Sequence, residues 1–223
     1  AAARTPGRGE LANIVEWLEQ RCRDLGVHIT TGVAVAADVV ANHKPDVVVV
    51  ATGATYRGGP PSAGLPVVGL DAVLAGEVPG KRIVVYDELV DWPGFNAARV
   101  LAESGAHLRY LTPEIYPGAT LEVSNWRLEY AALSDLGVEF HPVTQVVEIG
   151  AVSVIVRRGY ARATETLDDV DSLVWIGAPL SDASAQPALS GIPDAQVLVI
   201  GDAFAPRSVE QAILDARLSL MRV

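Results

Sequence analysis

The clearest helix in the chain is predicted by apolar residues that recur every three or four positions. Between Glu10 and Leu25 six such residues fall on one face of a helix of period 3.6, and Gly26 follows where a helix commonly ends. They are Leu11, Ile14, Val15, Leu18, Cys22 and Leu25. Cys22 lies on this stripe, so we interpret it as a small core residue rather than a reactive thiol.

Short apolar runs predict strands. Two of them, V-V-V-V-A-T-G at 47–53 and V-L-V-I-G-D at 197–202, end in small residues, which is typical of a buried parallel strand that leads into a tight turn. Other strands are predicted at 27–30, 82–86, 107–111 and 172–176, and helices at 37–41, 94–104, 125–136 and 208–221. Three closely spaced runs at 138–141, 143–149 and 152–156 predict an antiparallel meander.

This order of elements predicts an α/β protein with two Rossmann-like nucleotide-binding domains, one inserted in the other, and an antiparallel β meander. Residues 82–111 form a strand–helix–strand unit of about thirty residues, the size of half a nucleotide-binding fold. We assign residues 1–80 and 178–223 to the first domain and 81–177 to the insert. The first domain is predicted to be incomplete at its N-terminus, since no Gly-rich strand–turn–helix precedes 47–53.

Charge and composition narrow the functional classes. The net charge of −10 argues against binding to nucleic acid or to an anionic membrane, because both require a basic surface. One cysteine excludes an iron–sulfur cluster held by this chain alone, and the four histidines do not cluster, so no metal site and no catalytic residue is predicted. Without a signal peptide or a membrane-spanning run, we expect a cytoplasmic protein. The chain begins at Ala1 without Met, which fits a fragment or a processed product.

The candidate binding residues lie at the ends of the two Val-rich strands. Ala51, Thr52 and Gly53 are small residues that let a cofactor approach the backbone, although they would serve any tight turn. Gly201 and Asp202 precede a helix whose predicted N-cap is Ser208. A helix N-terminus suits phosphate, and Asp can bind sugar hydroxyls; an ordinary strand–turn–helix is the alternative. Arg207 either faces phosphate or points to solvent. The two strand ends, at 51–53 and 201–202, occur in this order with the inserted domain between them, and this arrangement favours a cofactor site.

The inserted unit lacks the motif that its topology calls for. In place of G-x-G-x-x-G after its first strand the chain has Y-D-E-L-V-D-W-P-G at 86–94, so that only Gly94 remains. Three carboxylates, those of Asp87, Glu88 and Asp91, would each repel a pyrophosphate by about 1 kcal/mol or more. We therefore expect no ordinary NAD(P)H binding here. Trp92 either packs on the turn or stacks on an adenine.

Several segments together resemble a known family. They are P-G-R at 6–8, K-P-D-V-V-V-V-A-T-G-A at 44–54, V-Y-D at 85–87, I-G-D-A at 200–203 and A-P-R at 205–207. Along essentially its whole length the chain resembles the C-terminal region of the large Old Yellow Enzyme-like flavin oxidoreductases. That family includes trimethylamine dehydrogenase, histamine dehydrogenase, N-methylproline demethylase-like enzymes and 2,4-dienoyl-CoA reductase.

The resemblance implies a part of a multi-cofactor enzyme that supports electron transfer. FMN in a TIM barrel and a 4Fe–4S cluster would lie on the missing part, and FAD or ADP would bind the first domain at the seven candidate residues: Ala51, Thr52, Gly53, Gly201, Asp202, Arg207 and Ser208. The implied partners are the missing N-terminal barrel and FAD-motif region, in cis or on another chain, and an electron-transfer flavoprotein, because the degenerate turn resembles the dehydrogenase-type members. The isolated chain is expected to be inactive.

Two other interpretations remain open from the sequence. The chain could be a non-catalytic scaffold or interaction module that keeps the fold without a cofactor, or an NAD(P)H-dependent reductase subunit. The substrate and the oligomeric state, a homo-oligomer included, are not determined by the sequence.

Overall fold

The computed structural model describes residues 3, 5–62, 64–161, 163–221 and 223. It divides into two compact units. Unit 1 consists of Ala1–Glu19 and Tyr56–Ala178, and unit 2 of Gln20–Thr55 and Pro179–Val223. The predicted α/β class with a parallel sheet is confirmed.

The helices and strands follow in chain order. The helices are α1 (Ala12–Asp24), α2 (Ala37–Ala41), α3 (Leu70–Leu74), α4 (Trp92–Glu103), α5 (Val123–Asp135), α6 (Gln186–Leu189) and α7 (Val209–Leu220). The strands are β1 (Val47–Val50), β2 (Ala54–Tyr56), β3 (Val67–Gly69), β4 (Arg82–Asp87), β5 (His107–Leu111), β6 (Glu139–His141), β7 (Thr144–Ile149), β8 (Val154–Arg158), β9 (Glu165–Leu167), β10 (Ser172–Ile176), β11 (Pro179–Ser181) and β12 (Gln196–Val199).

Unit 1 is built on a five-stranded sheet of order β3-β10-β4-β5-β6, in which all the strand pairs are parallel. Strand β4 is buried at every position after its first, as expected for the apolar run of a sheet covered on both faces. One apolar cluster of this unit joins β4 and β5 to α3, α4 and α5. A second joins the sheet to residues of β8 and β9.

The predicted antiparallel meander is wrong in its first strand. Residues 139–141 form β6, which pairs in parallel with β5 and thus extends the main sheet. The antiparallel sheet consists of β7, β8 and β9, and the sequence analysis did not predict β9. The reason is that α5 separates β5 from β6 and carries the chain back for a parallel pairing, an arrangement that local alternation of side chains cannot reveal.

Unit 2 has a smaller core around the parallel pair β1 and β12, whose register sets Val50 opposite Val199. Two core residues come from β1 and two from the α6 region, namely Val48, Val50, Leu189 and Ile192. The strands β2 and β11 form a separate two-stranded sheet. The predicted strand at 27–30 is wrong: no strand forms there, and the side chains of Val27 and Ile29 are exposed.

Helix α1 forms as predicted, but its apolar stripe lies open. Val15 is 65% exposed and Leu18 48% exposed, and Cys22 is half-buried rather than buried. Within the described ranges no helix is both long and apolar enough to cross a membrane.

The boundaries of the compact units differ from those predicted for the two domains. The sequence analysis assigned 1–80 to the domain that also contains 178–223, whereas residues 1–19 and 56–80 lie in unit 1. The physical reason is that β3 pairs with β10, whose other neighbour is β4. The assignment of an FAD/ADP-binding-like and an NAD(P)-binding-like domain stays a prediction.

Candidate functional site

The two Val-rich strands end side by side. Strands β1 and β12 run parallel, and the backbone N–H of Ile200 donates to the carbonyl oxygen of Val50 at 3.0 Å. Because the carboxyl ends of parallel strands meet at one edge of a sheet, the segments 51–53 and 201–202 lie next to each other. In open α/β sheets ligands commonly bind outside this edge.

A cavity of about 440 Å³ opens at this edge, within unit 2. This volume is in the range of small-molecule sites. Six of the seven predicted binding residues line it: Ala51, Gly53, Gly201, Asp202, Arg207 and Ser208. The remaining lining residues are apolar: Ile200, Val209, Ala212, Ile213 and Ala216. The structure thus brings together residues that are about 150 positions apart in the sequence, while their role in binding a cofactor stays a prediction.

Thr52 is the predicted residue that does not line the cavity. Its hydroxyl donates to the carbonyl oxygen of Asp182, and the N–H of Asp182 donates to the carbonyl oxygen of Gly53 at 3.0 Å. These two bonds tie the turn after β1 to the segment after β11. In this structure Thr52 therefore shapes the turn, and its predicted contact with a cofactor is not tested.

Both glycines of the site have a positive φ, but they serve different purposes. Gly53 has φ +83° and Gly201 has φ +59°, a region that side chains other than glycine rarely adopt. A Cβ on Gly53 would find no heavy atom within 4 Å, so the backbone there borders open space. A Cβ on Gly201 would lie 3.5 Å from the Cβ of Ala212, which shows how closely α7 packs on the strand end.

The polar groups of the cavity are held by their own loop. One carboxylate oxygen of Asp202 accepts the backbone N–H of Arg207 at 3.1 Å. The guanidinium of Arg207 donates from Nε to the carbonyl oxygen of Ala205 at 3.1 Å and pairs through Nη2 with Asp215. Asp215 was missed in the sequence analysis, since an acid eight positions after an arginine is not a recognised signal.

Helix α7 begins at the cavity. The side chain of Ser208 caps it by accepting the N–H of Gln211 at 3.4 Å, as the sequence predicted. A hydrogen bond from Ser208 lowers the pKa of Glu210. The helix is 12 residues long, so its first N–H groups present a partial positive charge to the cavity, which suits an anionic group such as phosphate.

Among the residues that the structure describes, no group of three or more His, Cys, Asp or Glu side chains could hold a metal ion.

Comparisons with known proteins were made for sequence and for structure. No family model matches the chain. It is 28% identical to an N,N-dimethylglycine/sarcosine dehydrogenase from Chromohalobacter salexigens, in an alignment that covers 96% of this chain and 37% of the relative. It is 27% identical to a probable N-methylproline demethylase from Rhizobium meliloti, over 96% of this chain and 36% of the relative. The chain therefore spans little more than a third of the length of these relatives.

Solved structures of other proteins superpose on most of the chain. A 6-hydroxypseudooxynicotine amine oxidase from Pseudomonas geniculata N1 superposes with a TM-score of 0.89 at 25% identity, over 99% of this chain and 35% of that protein. Histamine dehydrogenase from Rhizobium sp. 4-9 also gives 0.89, at 21% identity, over 100% of this chain and 38% of that one. A flavoprotein disulfide reductase from Escherichia coli, at 15% identity with a TM-score of 0.56 over 78% of this chain and 43% of that one, shares the fold alone.

Together the comparisons support the class that the sequence predicts, a portion of a flavin-containing oxidoreductase.

Proposed function

We propose that the chain is the C-terminal, nucleotide-binding portion of a multi-cofactor flavin oxidoreductase of the amine-dehydrogenase kind, and that it supports electron transfer there. The observation that carries this proposal is the cavity at the ends of β1 and β12, where six candidate residues converge. The similarity to dehydrogenases and an amine oxidase over nearly the whole chain supports the same class. The FMN and the 4Fe–4S cluster belong to regions outside this chain in the proposal.

The polar and apolar groups of the cavity suit FAD, or the ADP that forms part of FAD. The N-terminus of α7 with Ser208 would face a phosphate, the carboxylate of Asp202 would accept hydrogen bonds from sugar or ribityl hydroxyls, and open backbone at Gly53 would allow close approach. The apolar lining residues suit the planar rings. When bound, a flavin supplies electron transfer, and the chain's own residues bind and orient it.

Unit 2 also exposes apolar surface that a further segment would cover. On α7, Val209 is 66% exposed and Ile213 is 56% exposed, and on β1 Val49 is 40% exposed. Among the described residues β1 pairs only with β12, although parallel strands are normally covered on both faces and paired in larger sheets. We infer that a Gly-rich strand–turn–helix, in cis or on another chain, pairs with the free edge of β1 and completes the site. An electron-transfer flavoprotein as acceptor belongs to the proposal on the family resemblance alone.

The test compares the chain with a longer polypeptide that also carries the upstream barrel and Gly-rich segment. The longer protein should be purified with a flavin spectrum and should contain FAD or ADP after release by acid. Calorimetry of the 223-residue chain with ADP should show weaker binding than in the longer protein, because half of the site is absent. A longer protein that contains neither FAD nor ADP would overturn the proposal and would favour the scaffold interpretation.

The reductase alternative has its own measurement. Titration of the chain with NADPH should give no saturable binding at micromolar concentrations. Saturable binding in that range would favour an NAD(P)H-dependent reductase subunit over the dehydrogenase-type portion proposed here.

A further inference from the structure

A histidine and an arginine join the two sheets of unit 1. His141 is the last residue of β6, which is an edge strand of the parallel sheet, and Arg158 is the last residue of β8 in the antiparallel sheet. Nη1 of Arg158 lies 2.7 Å from Nδ1 of His141. The side chain of His141 is 18% exposed, so this contact is largely withdrawn from water.

The contact fixes the protonation state of the imidazole ring. A guanidinium group has donors and no acceptor, and it keeps its charge at any ordinary pH. Nδ1 of His141 must therefore accept the hydrogen bond, and the proton of the neutral ring must lie on Nε2. Among the described residues Nε2 has no hydrogen-bond partner, because Oε2 of Glu139 is 3.7 Å away, beyond hydrogen-bond distance.

The charged groups around the ring come from three strands. Arg158 belongs to β8, Glu139 to β6 itself, and Glu165, which pairs with Arg158 at 3.2 Å, to β9. The neighbour of His141 on β5 is Leu111, which does not titrate. Burial, the largest effect, and the charge of Arg158 lower the pKa of His141, while the two carboxylates oppose them. The folded chain thus favours the neutral ring.

The same corner holds the backbone that connects the two sheets. Between β6 and β7 lie only Pro142 and Val143, and Val143 has φ +48°, which for a β-branched residue is a genuine outlier. Its N–H donates to the carbonyl oxygen of Glu114 at 2.8 Å, and its carbonyl oxygen accepts the N–H of Gly159 at 2.6 Å. Gly159 directly follows Arg158, so one of the two bonds that hold Val143 lies next to the side-chain contact.

We propose that His141 is an acid-sensitive latch: the neutral ring holds the end of β8 against β6, and a proton taken up from solvent at Nδ1 releases it. The protonated ring carries an N–H on both nitrogens, so Nδ1 can no longer accept from Arg158 and the two cations repel each other. The neighbouring bond from Gly159 to Val143 weakens with it. The opening is confined to this corner, because an apolar cluster with residues of β4, β8, β9 and β10 keeps the sheets packed elsewhere.

The direction of the pH dependence follows from the ring. A released histidine titrates near ~6.5, and the pKa of the latched ring lies below that value. Between the two values the released form binds a proton that the latched form does not. The latch is therefore closed above pH ~6.5 and opens increasingly as the pH falls below it. Both sheets lie in unit 1, so the latch does not depend on the function proposed for the cavity of unit 2.

The first test observes the ring in the wild-type chain. Nitrogen NMR of the imidazole should show a proton on Nε2 and none on Nδ1 at pH ~7.5, and a pKa below the ordinary value of ~6.5. The spectrum of a His141→Asn chain assigns the signals. A neutral ring with its proton on Nδ1, or an ordinary pKa, would overturn the proposal.

The second test observes the backbone of the corner. Hydrogen exchange of the Gly159 amide, corrected for the intrinsic pH dependence of exchange, should show protection that falls about tenfold between pH ~7.5 and pH ~5. The control is the amide of Val170, which donates to the carbonyl oxygen of Val152 at 3.1 Å beyond the opposite end of the same sheet. It should keep its protection, and an equal loss at both amides would contradict a local latch.

A matched variant separates the latch from other groups that titrate in this range. His141→Asn keeps an acceptor, since Oδ1 of asparagine takes nearly the place of Nδ1, but it gains no proton. Its Gly159 amide should stay protected at pH ~5. An equal loss of protection in the variant and the wild type, or no loss in the wild type, would overturn the proposal. If the variant does not fold, NMR and exchange of the wild-type chain decide alone.

Discussion

The backbone N–H of Arg207 donates to Oδ1 of Asp202 at 3.1 Å, across the turn that joins β12 to α7. This bond fixes the carboxylate at the strand end before any ligand arrives. A substitution at position 202 therefore changes both the loop and the binding of a ligand in the cavity. Asparagine would preserve the hydrogen bond that holds the loop, because its amide oxygen also accepts the N–H of Arg207.

Substitution of Asp202 tests the cavity as a nucleotide site. In the longer protein, Asp202→Ala should weaken binding of FAD or ADP about tenfold or more, since hydrogen bonds to a charged group contribute about 1.5–3 kcal/mol. Asp202→Asn should keep the turn and lose part of the affinity. The measurement is flavin and ADP content after purification, with Asp38→Ala as an exposed control in the same unit. Unchanged content in Asp202→Ala would count against Asp202 as a ligand.

A second prediction concerns the backbone at Gly53. Gly53→Ala should destabilise the chain by about 1–2 kcal/mol, because φ is +83° and an L-residue is strained there. The new methyl group meets no atom within 4 Å, so the loss is conformational and not a steric clash. Urea unfolding measures it, and Gly58→Ala is the matched control, with open space and no positive φ. Equal stability of the two variants would contradict the strain at Gly53.

The buried acid of unit 1 predicts a pH dependence of stability. Burial, the largest effect, raises the pKa of Asp87 to about 6, whereas an unfolded aspartate titrates near ~3.9. Between these values the folded chain holds a proton that the unfolded chain has lost, so this group's contribution to stability falls as the pH rises from about 4 to about 6. The pKa difference corresponds to about 3 kcal/mol.

Chemical unfolding across this pH range measures the effect in the wild-type chain and in Asp87→Asn. The wild type should lose stability relative to the asparagine variant as the pH rises, because only the aspartate titrates. A difference between the two chains that does not change with pH would show that Asp87 has an ordinary pKa.

A fourth prediction concerns the start of β4. The carboxylate of Asp171 accepts the backbone N–H groups of Lys81 and Arg82, each at 2.9 Å, and pairs with the Arg82 guanidinium at 2.8 Å. These bonds, with the Arg82 side chain first, hold the pKa of Asp171 well below its usual range. Its stabilising contribution is thus present above pH ~4 and is lost only as the pH falls through the folded pKa.

Asp171→Ala should therefore lower the melting temperature at pH 7 and reduce the acid-induced loss of stability below pH ~4. Thermal unfolding at both pH values checks this. Asp168→Ala is a control in the same loop, because the contact of residue 168 with Arg109 is made by its backbone oxygen, which the substitution keeps. An equal fall in melting temperature for both variants would mean that the side-chain bonds of Asp171 contribute nothing specific.

The sequence predicted the elements whose evidence is local. Helix α1 follows from the 3.6 period of its apolar residues, and α7 from a strand end followed by the N-cap Ser208. Strands β1 and β12 follow from short apolar runs, since such runs are typical of parallel strands. The strand predicted at 27–30 does not form, although its sequence pattern is similar. An apolar run does not reveal whether a partner strand is present.

Most of the predicted residues of the candidate cavity could be identified from the sequence, but the contacts that hold them in place could not. Small residues at both strand tips, Asp202 and the helix start were visible in the sequence, whereas the Arg207–Asp215 pair and the bond from Thr52 to Asp182 were not. These contacts join positions whose spacing carries no periodic signal, so only the folded chain shows that Thr52 is turned away from the cavity.

What the sequence determined by itself is most of the longer helices and strands, among them α1, α4, α7, β1, β4 and β12, together with the α/β class and the loss of the glycine motif after β4, because propensity and apolar spacing act over a few residues. Only the tertiary structure decided that β3 and β6 join the sheet of unit 1 and that Asp87, at the end of β4, is buried beneath Gly94. Strand pairing and burial depend on contacts between distant segments, which form only when their combined packing outweighs the entropy of bringing them together.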